Sequence, residues 1–102
     1  MSETRIIRYR TTPETADDNA RLIAAVFAEL AERDVRGLRY TAFRLDDGVS
    51  FVHVATLEGA DNPLASLSSF AAFQAGIVER CVEGPLPAVA TVVGSYGDGP
   101  PR

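Results

Sequence analysis

The spacing of apolar residues changes along the chain from a period of two to a helical period and back again, twice. Thr4 to Thr11 alternates β-branched and aromatic side chains with arginines, which predicts a strand. The next apolar residues recur every three or four positions, which predicts an amphipathic helix: Leu22, Ile23, Val26, Phe27 and Leu30. Thr12-Pro13 predicts the start of this helix and Gly37 its C-terminal cap.

The middle of the chain has the pattern of a β-hairpin. Leu38 to Leu45 and Val49 to Leu57 are rich in strand-forming residues. Asp46-Asp47-Gly48 between them predicts a turn, because aspartate and glycine tolerate positive φ. We therefore expect these two strands to pair antiparallel.

Helical spacing returns over the stretch from about Leu64 to Val82. Gly76 lies inside it, and a glycine within a helix costs up to about 1 kcal/mol relative to alanine. We therefore expect this part of the helix to lie in close contact with the sheet. Gly84-Pro85-Leu86-Pro87 predicts the end of the helix, and Ala88 to Tyr96 predicts a final apolar strand.

The resulting order of elements is βαββαβ. With right-handed crossovers it predicts an α+β fold, the ferredoxin-like plait, in which a four-stranded antiparallel sheet carries two helices on one face. We expect one domain over residues 1–96. The glycine- and proline-rich residues 97–102 predict a loose C-terminal tail.

Both faces of the inner strands are predicted to be apolar. Side chains alternate along a strand, so Val52 and Val54 point to one face while Phe51 and Ala55 point to the other. Two helices cover only one face of a four-stranded sheet. A second copy of the chain is the simplest cover for the other face, so we expect a homodimer whose two sheets pack together.

Composition excludes several classes of protein. The formal net charge of −4 and the absence of a basic patch argue against a nucleic-acid or anionic-membrane partner. The longest apolar run, Leu22 to Ala28, is too short to span a bilayer, and we expect a cytoplasmic protein. Cys81 is the single cysteine, which argues against an internal disulfide or a cysteine-based zinc site, and we expect it to be a buried helical residue.

Two stretches extend the prediction from fold to family. "FVHVATLE" (residues 51–58), followed by a turn, and "NPLASLSSFAAF" (residues 62–73), entering the second helix, together with the element order, resemble the antibiotic biosynthesis monooxygenase type of domain. This type belongs to the dimeric α/β-barrel superfamily. The resemblance covers Thr4 to about Tyr96. It implies a dimeric α/β barrel that holds a small aromatic or polycyclic ligand between helices and sheet.

The same resemblance narrows the chemistry. Some members of the family oxidise their ligand with dioxygen and need neither metal nor flavin, so we expect no cofactor and no metal. Other members degrade haem with a tryptophan and a histidine. The corresponding positions here lie near Leu57 and Ser66, and the chain contains no tryptophan. The resemblance therefore extends neither to haem degradation nor to most of the oxygenase mechanism that a tryptophan assists.

His53 is the only histidine in the chain and the candidate catalytic residue. It shares strand parity with Phe51 and Leu57, and the resemblance places Leu57 on the pocket side, so we expect these three side chains to face the ligand. A buried, neutral imidazole there would accept a phenolic proton or orient the substrate. The alternative is a structural histidine whose hydrogen bonds are satisfied in the core or in the dimer interface.

The remaining candidate ligand-binding residues each have an ordinary structural interpretation as well. Asn62 matches an asparagine that some members of the family place near substrate, but an asparagine before proline is also typical of a turn or cap. Tyrosines and arginines of the strands are candidates for the polar edge of the pocket, or for packing and edge positions: Tyr9, Tyr40, Tyr96, Arg8 and Arg44.

Two functions remain open from the sequence. The first is a dimeric protein that binds a small aromatic ligand, as a cofactor-independent monooxygenase or as a non-enzymatic binder. The second is a non-catalytic dimeric interaction module in which His53 is purely structural. The architecture hosts many unrelated activities, so fold alone does not decide between them.

Overall fold

The computed structural model describes residues 2–59 and 61–97. Within these residues, β1 (Glu3–Thr11), α1 (Ala16–Arg33), β2 (Leu38–Arg44) and β3 (Ser50–Leu57) come first. A 3₁₀ helix (Pro63–Ser66), α2 (Ser68–Ala75), α3 (Ile77–Arg80) and β4 (Cys81–Ala90) follow. The order is the predicted βαββαβ, with the second helical region divided into three parts. None of the described helices is both long enough and apolar enough to cross a membrane.

The four strands form one antiparallel sheet in the order β2-β3-β1-β4. In this register His53 on β3 lies opposite Ile7 on β1 and Ala42 on β2. The helices pack on one face of the sheet, and the core forms between them and the strands around Tyr9, Phe51 and other buried apolar residues: Val26, Leu64, Leu67, Phe73 and Ile77. The predicted ferredoxin-like plait is thus confirmed.

The first helix begins and ends at other residues than predicted. Its N-cap is Thr15, because the backbone carbonyl and side chain of Thr12 accept hydrogen bonds from the Thr15 backbone N–H and close a turn ahead of the helix. Its C-cap is Asp34, whose φ of 49° is left-handed, a conformation that aspartate tolerates. Gly37, with a φ of 79°, comes three residues later and leads into β2.

The second helix predicted over Leu64 to Val82 is interrupted twice. Leu67 has an extended backbone and separates the 3₁₀ helix from α2, and Gly76 separates α2 from α3. The expected contact between Gly76 and the sheet is wrong. A Cβ atom at this position would lie 3.0 Å from Nη1 of Arg80, so the glycine makes room for the Arg80 side chain.

The last strand comes earlier than predicted. β4 begins at Cys81, which is therefore a half-buried strand residue and not a helical one, and it ends at Ala90. The stretch Gly84-Pro85-Leu86-Pro87, predicted to end a helix, lies within this strand. Proline is tolerated there because β4 is an edge strand, with a neighbour on one side only. Residues 91–96 have no regular structure, and Tyr96 is fully exposed.

The face of the sheet opposite the helices is uncovered in the described chain. Side chains opposite each other on paired strands share a face, so Phe43, Val52, Arg8 and Leu86 form one row across it. Phe43 is 42% exposed and Leu86 is 51% exposed. Of the predicted tail 97–102, only Gly97 lies among the described residues.

Candidate active site

A cavity of about 290 Å³ lies between the helix-facing side of the sheet and the second helical region. His53, Tyr9 and Tyr40 border it from the sheet. Its wall is otherwise mostly apolar, with residues from β1, β3, the helices and β4: Ile7, Ala55, Leu57, Leu64, Phe70, Phe73, Ile77, Pro85 and Pro87. An apolar cavity with a few polar groups is the usual form of a site for a small organic ligand.

Both ring nitrogens of His53 are hydrogen-bonded to tyrosines. Nε2 lies 2.8 Å from the hydroxyl of Tyr9, and Nδ1 lies 2.6 Å from the hydroxyl of Tyr40. The strand register explains the arrangement, because Tyr9 on β1 and Tyr40 on β2 stand on the same face as His53 from either side of β3. The His53 side chain is 4% exposed. A ligand in the cavity therefore meets an imidazole whose polar atoms already have partners.

Burial determines the protonation states at this site. Loss of hydration lowers the pKa of His53 from 6.5 to about 4, because the charged imidazolium is the form that desolvation disfavours. The same effect raises the pKa of Tyr9 to about 12 and also raises the pKa of Tyr40. At neutral pH the site therefore holds a neutral imidazole between two protonated phenols.

Aromatic rings enclose the imidazole. The ring centroid of Phe73 lies 5.5 Å from that of His53, and the Tyr9 ring lies 5.3 Å away. The Tyr40 ring is stacked on the ring of Phe27 in α1, with 4.8 Å between the ring centroids, and this contact holds the Tyr40 hydroxyl in place. The rotamers of the three hydrogen-bonded side chains are thus restricted by packing as well as by hydrogen bonds.

Two buried polar residues behind Tyr9 extend the site, and the sequence analysis missed both. Asn19 is 0% exposed and donates from Nδ2 to the Tyr9 hydroxyl at 2.8 Å, while Nε of Arg80 donates to Asn19 Oδ1 at 2.9 Å. Arg80 also donates to the Phe73 carbonyl oxygen at 2.7 Å. Among the described residues, none of the Arg80 nitrogens pairs with a carboxylate.

A signal for both residues was present in the sequence. Asn19 occupies the same helical stripe as Leu22, Ile23 and Val26, and Arg80 follows Ile77 at helical spacing. A polar residue at a position that periodicity assigns to the core requires a hydrogen-bond partner there.

The structure separates the predicted site residues into two groups. His53, Leu57, Asn62, Tyr9 and Tyr40 all border the cavity. Asn62 also caps the 3₁₀ helix, since its Oδ1 accepts the Leu64 backbone N–H at 3.0 Å, so the cap interpretation of this residue is correct.

Phe51 and the other polar candidates lie elsewhere. Phe51 shares the face of His53 but is buried behind Tyr9, and the centroids of the two stacked rings are 5.5 Å apart. Phe51 does not border the cavity. Arg44 pairs with Asp17 of α1. Arg8 lies on the open face of the sheet, and Tyr96 lies beyond β4. The predicted faces of β3 are therefore correct, but sharing a face did not make Phe51 a cavity residue.

Metal binding has no support in the described part of the chain. No group of three or more histidine, cysteine, aspartate or glutamate side chains within it is placed to hold a metal ion. The cavity is bordered by one guanidinium, Arg5, which pairs with Glu3 at the protein surface.

The sequence matches no protein-family model and no curated protein. The fold nevertheless matches solved structures over almost the whole chain. The structure of Rv0793 from Mycobacterium tuberculosis is 17% identical in sequence, with a TM-score of 0.75 over 95% of this chain and 100% of that chain. A proposed antibiotic biosynthesis monooxygenase from Nitrosomonas europaea is 9% identical, with a TM-score of 0.73 over 94% of each chain.

The fold is that of antibiotic biosynthesis monooxygenase-like proteins. A variant of SnoaB, a cofactor-independent oxygenase from Streptomyces nogalater, is also similar, at 17% identity and a TM-score of 0.61 over 95% of this chain and 98% of that chain. At such identities the likeness concerns the fold alone, because one architecture supports many chemistries. The resemblance predicted from the sequence is confirmed at that level.

Proposed function

We propose that this protein binds a small aromatic molecule in the cavity beside His53. The observation that carries the proposal is the cavity itself, in which hydrogen-bonded His53 and Tyr40 stand within an otherwise mostly apolar wall. Such a wall favours a flat apolar ligand, and the few polar groups fix its orientation.

The size of the cavity suggests the size of the ligand. An apolar cavity of about 150 Å³ accommodates benzene. The cavity here has a volume of about 290 Å³, so a molecule of one or two rings would fit without rearrangement of the wall. Phe70 and Phe73 offer ring faces against which such a molecule can stack.

The enzymatic form of the proposal is a cofactor-independent monooxygenase. In that reaction the substrate supplies all four electrons that reduce O₂ and both hydrogens of the water: a ring CH₂ group and one O₂ become a carbonyl group and one water. The chain's own contribution would be to exclude water and to orient the substrate against His53 and Tyr40. The similarity in fold to an oxygenase that needs no cofactor supports this form.

Ligand binding is tested by the imidazole NMR signals of His53, which a single histidine makes unambiguous. We expect these signals to shift with a class of one- or two-ring aromatic compounds. Ala55→Leu, which places added bulk in the cavity wall, should abolish the shift. Ala72→Leu makes the same change at an exposed position of α2 and should leave it intact. Absence of any shift across the panel would contradict the proposal.

Oxygen uptake tests the enzymatic form separately. With hydroquinones and hydroxynaphthalenes as substrates, we expect uptake by the protein to exceed both the spontaneous rate and the rate with His53→Ala. Equal rates of oxygen uptake for the wild type and His53→Ala would contradict the enzymatic form and would retain only the proposal that the protein binds the ligand.

One observation favours the second candidate, a non-catalytic module with a structural histidine. Both ring nitrogens of His53 are already hydrogen-bonded, so no lone pair or N–H of the imidazole is free for a substrate. This candidate predicts that His53→Ala lowers the melting temperature strongly and changes no ligand affinity. A small loss of stability together with abolished ligand binding would favour the first candidate.

We also propose that the open face of the sheet is covered by the same face of a second copy. Phe43, Leu86 and the half-buried Val52 and Val54 supply an apolar patch that one symmetric contact would bury on both chains. Sedimentation should show a dimer at micromolar concentration and a monomer for Phe43→Glu. Val78→Glu, the same type of change on exposed α3, should remain dimeric. A stable wild-type monomer would contradict the proposal.

A further inference from the structure

Five side chains form a continuous series of hydrogen bonds that begins in the interior and ends at the cavity wall: Arg80, Asn19, Tyr9, His53 and Tyr40. We propose that this hydrogen-bond chain has a single direction, from Arg80 to Tyr40, and that it presents the hydroxyl proton of Tyr40 to an acceptor oxygen of the bound ligand. The ligand part of this inference rests on the proposed function of the cavity.

The direction is determined first at Arg80. A guanidinium has donors and no acceptor, so the Asn19 atom that it contacts at 2.9 Å is the amide oxygen. The other amide atom, Nδ2, is then the one that faces Tyr9, and it donates to the hydroxyl oxygen. The donor-only guanidinium of Arg80 thus fixes the orientation of the Asn19 amide.

The direction continues through Tyr9. Its hydroxyl oxygen accepts from Asn19, so its proton needs a different acceptor, because an unsatisfied buried O–H is costly. Nε2 of His53, at 2.8 Å, is its only other hydrogen-bond partner among the described residues. Tyr9 therefore donates to Nε2. The reverse tautomer, with a proton on Nε2, would leave the Tyr9 proton without an acceptor.

Tyr40 receives the last bond from His53. A neutral imidazole with a bare Nε2 carries its proton on Nδ1, which donates to the Tyr40 oxygen at 2.6 Å. The Tyr40 proton then has no acceptor within the part of the chain that the structure describes, and Tyr40 borders the cavity. The free proton is therefore available to a ligand.

Arg5 and Asn62, which also border the cavity, favour an acceptor ligand, whereas the amide of the exposed Gln74 offers both a donor and an acceptor and favours neither kind. Arg5 has only donors. The Oδ1 atom of Asn62 is occupied by the Leu64 N–H, which leaves the amide N–H₂ as the free end. The ligand class that matches these donors is a one- or two-ring molecule with a keto or quinone oxygen, or a carboxylate, directed at Tyr40. Asn19 and Arg80 are positioning residues in this scheme, because they act through Tyr9 and His53.

The direction can be measured without a ligand. In ¹⁵N NMR at pH 7, bare and protonated imidazole nitrogens have well-separated chemical shifts, and we expect Nδ1 of His53 to carry the proton. Asn19→Asp should reverse the assignment. The new carboxylate has no proton to donate, so it would accept from both Arg80 and Tyr9. Nε2 would then donate to Tyr9 and Nδ1 would accept from Tyr40.

Ala24→Asp serves as the matched control, since it adds a carboxylate at an exposed position of the same helix. It should leave the proton of His53 on Nδ1. A wild-type proton on Nε2, or an unchanged tautomer in folded Asn19→Asp, would overturn the proposed direction. If Asn19→Asp does not fold, the wild-type tautomer alone decides the direction.

A pair of matched ligands tests the cavity end of the hydrogen-bond chain. 1-Tetralone and tetralin have the same two-ring frame, and only the ketone has an acceptor oxygen. We expect the wild-type protein to bind 1-tetralone about fivefold to tenfold more tightly than tetralin, the effect of one hydrogen bond. Tyr40→Phe should reduce the ratio to about one, and Asn19→Asp should do the same because it turns the Tyr40 proton towards His53.

The possible failures are distinguishable. Equal binding of the two ligands to the wild-type protein would overturn the role of Tyr40 while leaving the cavity as a binding site. No binding of either ligand, nor of the aromatic panel, would overturn the proposed function and the ligand part of this inference together. The tautomer of His53 would still decide whether the hydrogen-bond chain has the proposed direction.

Discussion

Acidification from pH 7 to pH 5 is expected to destabilise this protein through a single side chain. The pKa of His53 is about 4 in the folded protein, against 6.5 for an ordinary histidine. Between these values the unfolded chain binds a proton that the folded protein does not. The free energy of unfolding therefore rises with pH across this window, and falls as the pH is lowered from 6.5 towards 4.

The two pKa values give the size of the effect. At about 1.4 kcal/mol for each pKa unit, the difference between 6.5 and about 4 corresponds to a loss of about 3 kcal/mol when the window has been crossed. Linkage predicts a loss of about 2 kcal/mol by pH 5. A domain of this kind has a total stability of about 5–15 kcal/mol, so the change is readily measured.

Urea unfolding at pH 7 and pH 5, followed by circular dichroism at one fixed protein concentration, measures the change. Hydrogen bonds from Ser69 and Ser50 lower the pKa values of the Glu29 and Asp47 carboxyl groups, and the stability that such groups contribute is lost mainly below their ordinary pKa values of 4.5 and 3.8, so they contribute little between pH 7 and pH 5. His53→Gln cannot titrate in this range and should lose far less stability between the two pH values. Equal losses for wild type and variant, or a pKa of His53 near 6.5 by NMR, would refute the reasoning.

Three further predictions concern a buried hydrogen bond, two glycines with positive φ and a contact between two helices. Tyr9→Phe leaves Asn19 without the oxygen that its Nδ2 contacts, so we expect a loss of about 1–3 kcal/mol in urea unfolding; unchanged stability would show that the bond contributes nothing. Gly84→Ala should destabilise more than Gly48→Ala, measured in the same way. Both glycines have φ near +80°, a backbone conformation that costs an alanine about 1 kcal/mol. Only at Gly84 would the added Cβ also lie 2.7 Å from a backbone oxygen, that of Arg8. Glu29→Gln weakens the carboxylate contact between α1 and the first turn of α2, so its melting temperature should fall at pH 7; equal melting temperatures would contradict this.

Local periodicity was enough to predict the order of the elements and the faces of β3, because each is determined by neighbouring residues. The position of β4 was not predictable in this way. Gly84-Pro85-Leu86-Pro87 has the composition of a chain break, and only the pairing of Leu86 with Arg8 and Pro87 with Ile7 shows that it lies in a strand. Whether proline fits depends on an edge position, which is a property of the whole sheet.

The candidate site was predictable to a similar extent. Strand parity placed His53 and Leu57 on one face, the family resemblance assigned that face to the pocket, and both residues border the cavity. Parity could not show that Phe51 lies behind Tyr9, since that depends on how the helices pack. Nor could it pair Asn19 with Arg80, which are 61 residues apart, although each occupies a core position of its helix.

The two prolines of β4 also determine how this sheet can grow. Pro85 and Pro87 are two positions apart, so their missing N–H groups belong to the same side of the strand, and proline is tolerated where that side faces away from the neighbouring strand. The outer edge of β4 therefore lacks two of the donors that an added strand would need. The opposite edge, β2, contains no proline and keeps a donor at every residue. Among the described strands, aggregation by strand addition, which starts at unprotected edges, should therefore be favoured at β2, and mutations that change the tendency to form fibrils should map to this strand.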